Sequence, residues 1–403
     1  MRNAPHLLTR FPATVLAPFV VWLVATSMAA AAERPLTPQG FPTDDTFFPL
    51  AVWVQNPRNA ERYRELGINV FVALYRGPTP EQLELLDKAG VYAITHQNES
   101  GLKHRDRGTI AAWMHGDEPD NAQSLGRGRG GGYGPPVATE TVVERYKRIK
   151  QTDPGRAVLL NLGQGVAWDN WIGRGVRRNH PEDYPKYLEG CDIASFDIYP
   201  VTHDNPEVAG KLEYVGRGLS RLLEWTGGKK PVWCCIETTH IHNEKVRPTP
   251  AQVKSEVWIA LTHGATGIIY FCHEFAPRQI EAGLLSHPDT AAAVKAINAQ
   301  VTELAPALNS PTAKDGVKAT PADAEVPIQA IAKRHRGSAY VFAVSLRGKP
   351  TKASFDVAGL DGNRKVEVIG EGRTIDATGG RFADAFEGYA VHLYRIPANA
   401  PPP

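Results

Sequence analysis

The chain has 403 residues, 45 Lys and Arg against 43 Asp and Glu, and four cysteines. So even a balance argues against a basic nucleic-acid face or a polybasic membrane face as the working surface. The cysteines have no CxxC spacing, which argues against a zinc or redox motif. Cys191, Cys234, Cys235 and Cys272 sit in or beside apolar runs and read as small core residues.

Residues 1–32 read as an export signal: Arg2 and Arg10 form a basic start, Val15 to Met28 is apolar, and Ala30, Ala31 and Ala32 offer a cleavage site. The apolar run is short for a membrane span, so no membrane attachment is expected after cleavage. Removal of this segment leaves 43 residues of each charge sign. The mature chain is expected to be secreted, periplasmic or extracellular, and monomeric.

From residue 33 to 310 the sequence alternates buried-strand and amphipathic-helix patterns. Apolar runs fall at Pro49–Val54, Ile68–Tyr75, Val91–Thr95, Ile110–Met114, Ala157–Leu162, Asp192–Tyr199, Val232–Ile236 and Ile268–Cys272. Thr79-Pro80-Glu81-Gln82 and Thr249-Pro250-Ala251-Gln252 are capping boxes with proline at the first helical position. Gly67, Gly90 and Gly267 stand where a helix must stop before the next strand. Eight such units predict an α/β fold, a closed (β/α)8 TIM barrel, and no Gly-rich nucleotide fingerprint supports an open doubly wound sheet. The stretch Leu125–Pro136 holds six glycines and is expected to be a long loop carrying Tyr133, either a cleft wall or an unstructured insertion. Residues 311–325 read as a linker. Residues 326–397 carry short alternating strands with Gly, Asn and Asp turns, a small C-terminal antiparallel β-sandwich.

Two carboxylates stand out. Ile-Ala-Ala-Trp-Met-His-Gly-Asp-Glu ends at Glu118, and Val-Trp-Cys-Cys-Ile-Glu ends at Glu237. Each follows a fully apolar stretch, so each is expected at the C-terminal rim of the barrel, where such folds place their chemistry. Opposed carboxylates across a cleft are what glycosidic cleavage needs. Strand alternation puts Asp197 and Tyr199 of Ser-Phe-Asp-Ile-Tyr-Pro on one face. Trp168 and Trp171 lie in a polar loop and suit stacking on sugar rings, with Trp53, Tyr75 and Tyr133 as further platforms.

With its acid ending strand four and its acid ending strand seven, the chain resembles the clan A glycoside hydrolases. That resemblance implies Glu118 as acid/base, Glu237 as nucleophile, Tyr199 hydrogen-bonded to the nucleophile, a retaining mechanism, no cofactor and a β-linked glycan as substrate. The clan usually has Asn before the acid/base; Asp117 stands there, so its sugar contact differs. Asp197 as partner of Glu118 in an inverting enzyme stays open. His96, His115 and His273 are expected to bond substrate. Together with His240 and His242 they leave a metal-dependent barrel hydrolase as one alternative. A non-catalytic carbohydrate-binding barrel is the other.

Overall fold

The computed structural model describes residues 40–126 and 131–397. The expected export segment and the middle of the glycine-rich loop, residues 127–130, lie outside that range. The described residues belong to one compact unit.

Eight parallel strands close into a barrel in sequence order. They are β1 (Leu50–Trp53), β2 (Val70–Val72), β3 (Tyr92–His96), β4 (Ile110–Asp117), β5 (Ala157–Leu162), β6 (Ile193–Phe196), β7 (Val232–Glu237) and β8 (Gly267–Phe271). Around them lie α1 (Ala60–Glu65), α2 (Pro80–Ala89), α3 (Glu99–Lys103), α4 (Thr139–Thr152), α5 (Tyr184–Tyr187), α6 (Glu213–Thr226), α7 (Pro250–Thr262), α8 (Gly283–Ser286) and α9 (Pro288–Leu308). The strands read as unbroken apolar runs because both faces are covered. Ala51, Val70, Ile94, Met114, Leu159, Ile193, Trp233 and Ile269 fill the barrel interior. Their neighbours Leu50, Phe71, Leu160, Ala194, Val232 and Ile268 pack outward on the helices. The interior must hold the indole of Trp233; a Cβ at Gly267 would lie 2.4 Å from that ring, so only glycine fits there.

Both capping boxes form as read: Thr79 with Gln82 opens α2 and Thr249 with Gln252 opens α7, each with proline in the first turn. Gly90 ends α2 at φ 65°, the left-handed geometry a terminal glycine supplies.

The C-terminal sheet comprises β9 (Val317–Pro321), β10 (Ile328–His335), β11 (Ser338–Ser345), β12 (Thr351–Val357), β13 (Asn363–Val368), β14 (Arg373–Thr378), β15 (Arg381–Phe386) and β16 (Val391–Ile396). Its order is β10-β11-β16-β13-β14-β15-β12-β9, and the two edge strands approach each other, so it curls toward closure. Three strands escaped the sequence pattern. β9 falls inside the stretch read as a linker, where it pairs with β12 from Val317↔Val357 to Pro321↔Ala353. Its residues are half-exposed or exposed throughout, so no buried alternation marks it. β14 and β15 are similarly polar on one face.

The sheet packs on α7 and α6. Trp258 meets Phe342 at 5.4 Å between ring centroids, Ser255 Oγ donates to Tyr389 O at 2.7 Å, and Arg347 pairs with Glu213 at 2.7 Å. Phe342, Val344, Val391 and Leu393 belong to the same apolar cluster as the outer barrel layer. One continuous core implies one cooperative unit. Phe342→Ala is therefore expected to cost about 3–5 kcal/mol. In urea denaturation, intrinsic fluorescence and far-UV dichroism should shift together; separate transitions would show that the sheet unfolds alone.

Candidate active site

The end of β4 departs from simple alternation. Met114 pairs with Leu159, but Asp117, three residues on, pairs with Asn161, two residues on. This bulge re-aims the strand end so that Asp117 turns to the barrel mouth. A short ladder fixes it: Ser195 Oγ donates to Asn161 Oδ1 at 2.6 Å, and Asn161 Nδ2 donates to Asp117 Oδ1 at 3.0 Å. Asp117 remains accessible, yet the surrounding walls strip its hydration and raise its carboxyl. Glu118 follows at φ 42°, a left-handed conformation that disfavours a side chain with a Cβ by about 1–2 kcal/mol. Its amide holds it there by donating to Asn161 O at 2.9 Å. Bulge and turn together swing the Glu118 carboxyl across the mouth.

There it meets Asp197, just beyond β6. The two carboxyls are close enough to shift each other's protonation, and Tyr199 Oη donates to Asp197 Oδ2 at 3.2 Å. Asp197 Oδ1 is buried with no donor of its own. Burial and the neighbouring Asp117 and Asp120 push Glu118 up to about 7. Burial and the charge of Glu118 push Asp197 well above the carboxylate range. Like charges this close cannot both ionise cheaply, so the pair keeps a proton through neutral pH and titrates as a unit. Gly163 makes room: a Cβ there would lie 3.0 Å from Glu118 Oε1 and 2.8 Å from the Asn121 amide.

Glu237 takes a different place from the one expected. It ends β7 at the level of Phe271, but its carboxylate has no solvent exposure. Oε1 accepts from Val201 N at 2.6 Å and Oε2 from Thr202 N at 2.9 Å. It lies against Glu256 of α7, under the segment that follows β6. The expected bond from Tyr199 to Glu237 is likewise absent, because the Tyr199 hydroxyl is spent on Asp197.

The other expected residues divide. His96 and His273 remain at the strand ends on the mouth side; His273 Nε2 is 3.2 Å from Val54 O and stacks on Phe275. Tyr199 and Phe271 sit ring to ring at 5.0 Å, and Trp53 is buried below at the edge of the interior cluster. His115 is corrected: next to the inward Met114 it takes the outer face toward α4, where Nε2 meets Val142 O at 2.8 Å. Trp168 is only 2% exposed and packs in the outer core, and its ring also backs the cavity beside Trp171 and His203. Tyr75 is 69% exposed. Tyr133 is 76% exposed in a small arm closed by its bridge to Ser124. Among the described residues no three His, Cys, Asp or Glu side chains come together as a metal-ligand group. All four cysteines are buried and unpaired with one another.

Trp171 does line a cavity. Together with Tyr199, Thr202, His203, Asp204 and His242 it walls a space of about 290 Å3 beside Asp197. Its Nε1 donates to Asn121 Oδ1 at 2.8 Å, and Asn121 is among the groups that lower the Glu118 carboxyl. Tyr199, in the cavity wall, donates to Asp197, so the cavity and the carboxyl pair are neighbours. Three supporting residues carried no sequence signal. Asp120 is fully buried, accepting from Gly163 N at 2.9 Å and Tyr184 Oη at 2.9 Å beside Arg174. Asn161 is fully buried in the ladder, and Glu256 is fully buried against Glu237. Each looks like an ordinary polar residue in one dimension; only the fold makes it internal.

No protein-family model and no curated protein sequence matches the chain. Solved structures do resemble it. An α-amylase from Geobacillus thermoleovorans, complexed with acarbose, superposes at a TM-score of 0.52 with 10% identity, over 89% of this chain and 100% of that one. A maltogenic α-amylase from Thermotoga neapolitana gives 0.54 with 7% identity, over 88% and 99%. A putative α-galactosidase from Bacteroides fragilis gives 0.51 with 11% identity, over 89% and 81%. At such identities the likeness is one of fold: a closed barrel followed by a β-sheet domain.

Proposed function

We propose that the chain is an exported glycoside hydrolase whose working carboxyl pair is Glu118 and Asp197. The observation that carries the reading is this interacting pair after β4 and β6 of a closed barrel, with Tyr199, the donor to Asp197, in the wall of the cavity lined by Trp171 and His203. Several likenesses of fold are carbohydrate-active enzymes, which supports the same reading.

Glu118 is the acid/base. A carboxyl held near 7 keeps a protonated fraction at neutral pH and is reachable from the mouth, as a general acid must be. In the reacting state the single proton of the pair lies on Glu118 and Asp197 is ionised, with Tyr199 donating to it. Glu118 gives that proton to the departing glycosidic oxygen as its bond to the anomeric carbon breaks, and the Asp197 carboxylate bonds to that carbon. Glu118, now a carboxylate, then removes a proton from water that displaces Asp197. This double displacement retains the anomeric configuration, and retaining pairs stand ~5–5.5 Å apart. Asp117, locked by Asn161, offers its free oxygen to a sugar hydroxyl.

The substrate proposed first is a β-linked glycan; α-linked glycosides form the second arm because α-amylases share the fold. The test is a panel of α- and β-aryl glycosides and oligosaccharides, with the first-formed anomer read by proton NMR. Retained configuration is expected from the active substrates, and net inversion would exclude the double displacement. Activity should fall as pH rises through about 7, because Glu118 then loses the proton it must donate. A kcat/KM profile with no basic limb between pH ~6 and ~8 would contradict that role.

A further inference from the structure

Glu237 and Glu256 are the most deeply buried acids that the proposed chemistry does not use. Both have no exposure at all, and they face each other across the gap between β7 and α7. Neither oxygen of Glu256 finds a donor from any other residue. Glu237, by contrast, grips two successive backbone amides, Val201 and Thr202. Those amides begin the segment carrying Thr202, His203, Asp204 and Asn205, which forms one wall of the cavity beside Asp197.

The groups facing the two acids are few. From the segment after β6 come the two amides and the Thr202 hydroxyl, all toward Glu237. From β7 the Cys234 thiol lies near Glu256, and from the turn before β16 the Tyr389 phenol does. Nothing cationic acts on Glu256. Two carboxylates in contact, buried and without a counter-charge, cannot both ionise while the packing stays closed.

We propose that Glu237 and Glu256 share one proton and so form a clamp that positions the 201–205 wall of the cavity, the clamp loosening when that proton is lost. Glu237 is then a positioning residue: its two bonds to successive amides fix the backbone, and the proton shared with Glu256 lets it stay. Once both are charged, repulsion forces one carboxylate out of the gap, and the amides of Val201 and Thr202 lose their acceptor. Asn243 Nδ2, which donates to Thr202 O and Asp204 Oδ1 at 3.3 Å each, and His203 Nε2, 3.0 Å from Gln164 Oε1, are among the ties that then remain on that segment. Burial and the charge of Glu237 raise Glu256 well above the carboxylate range, so the release comes as pH rises.

The inference goes beyond the glycosidase reading and does not depend on it, because it is read from amide exchange and not from turnover. Hydrogen exchange at Val201 and Thr202 is measured by NMR in the full chain at pH ~6 and pH ~9, corrected for base-catalysed intrinsic exchange. In wild type, protection at these two amides should fall about tenfold or more between the two conditions, one tenfold step for each unit of displacement in the pair. Glu256→Gln replaces the shared proton with a permanent amide donor and should hold the acid-side protection at both. Glu237→Gln puts an amide group where the two N–H groups need acceptors and should be poorly protected at both. Flat protection in wild type, or a fall in Glu256→Gln equal to that of wild type, overturns the clamp.

Discussion

Asp197→Asn is expected to lower turnover by about 10³- to 10⁴-fold, the upper part of what one positioned carboxyl contributes. The substitution preserves shape, and the amide oxygen still accepts from Tyr199, so the fold and cavity should be unchanged. What is lost is the negative charge and the attacking oxygen. A second readout separates chemistry from damage. Asp197 acts on Glu118 downward, as a hydrogen-bonding neighbour, and the Asn amide donates in its place, so the basic limb of the pH profile should stay where it is. Kinetics with a soluble aryl glycoside check both. Near-normal turnover in Asp197→Asn would remove Asp197 from the reaction.

Glu118→Gln is expected to cost about 10²- to 10⁴-fold, with the size set by the leaving group. A substrate that departs as a stable phenolate needs little protonation, so its bond-breaking step should be nearly normal and the glycosyl-enzyme should accumulate. A substrate that departs as an alkoxide should suffer the full loss. An equal loss on both kinds would mean that Glu118 is not the proton donor. Glu237→Gln is the matched contrast. It removes a buried carboxylate with no path to solvent, so its effect should appear in substrate binding and stability, with kcat within about tenfold of wild type.

Much of this was legible in one dimension. Continuous apolar runs such as Ala157–Leu162 gave the barrel because a parallel strand buried on both faces leaves no polar period to confuse. The Thr-Pro-x-Gln boxes opened α2 and α7 because their chemistry is local. Glu118 was placed correctly at the rim, since a carboxylate after eight largely apolar residues has nowhere else to go. The failures have separate causes. His115 follows the inward Met114, so alternation itself puts it on the outer face, where it meets α4. Glu237 ends β7 in regular register, but the segment after β6 closed over it. Neither Asn161 nor Asp120 announces itself, because a buried polar residue is recognised by its partners, and those lie far along the chain. The polar edge strand β9 passed for a linker for the converse reason: little of it is buried.

The central claim is that the carboxylate opposite Glu118 is Asp197 and not Glu237. It is tested most directly by trapping the covalent intermediate with a 2-deoxy-2-fluoroglycoside of an active substrate, digesting the protein and locating the label by tandem mass spectrometry. The geometry predicts one fluoroglycosyl group, on Asp197, and none in Asp197→Asn. A label on Glu237 would contradict it.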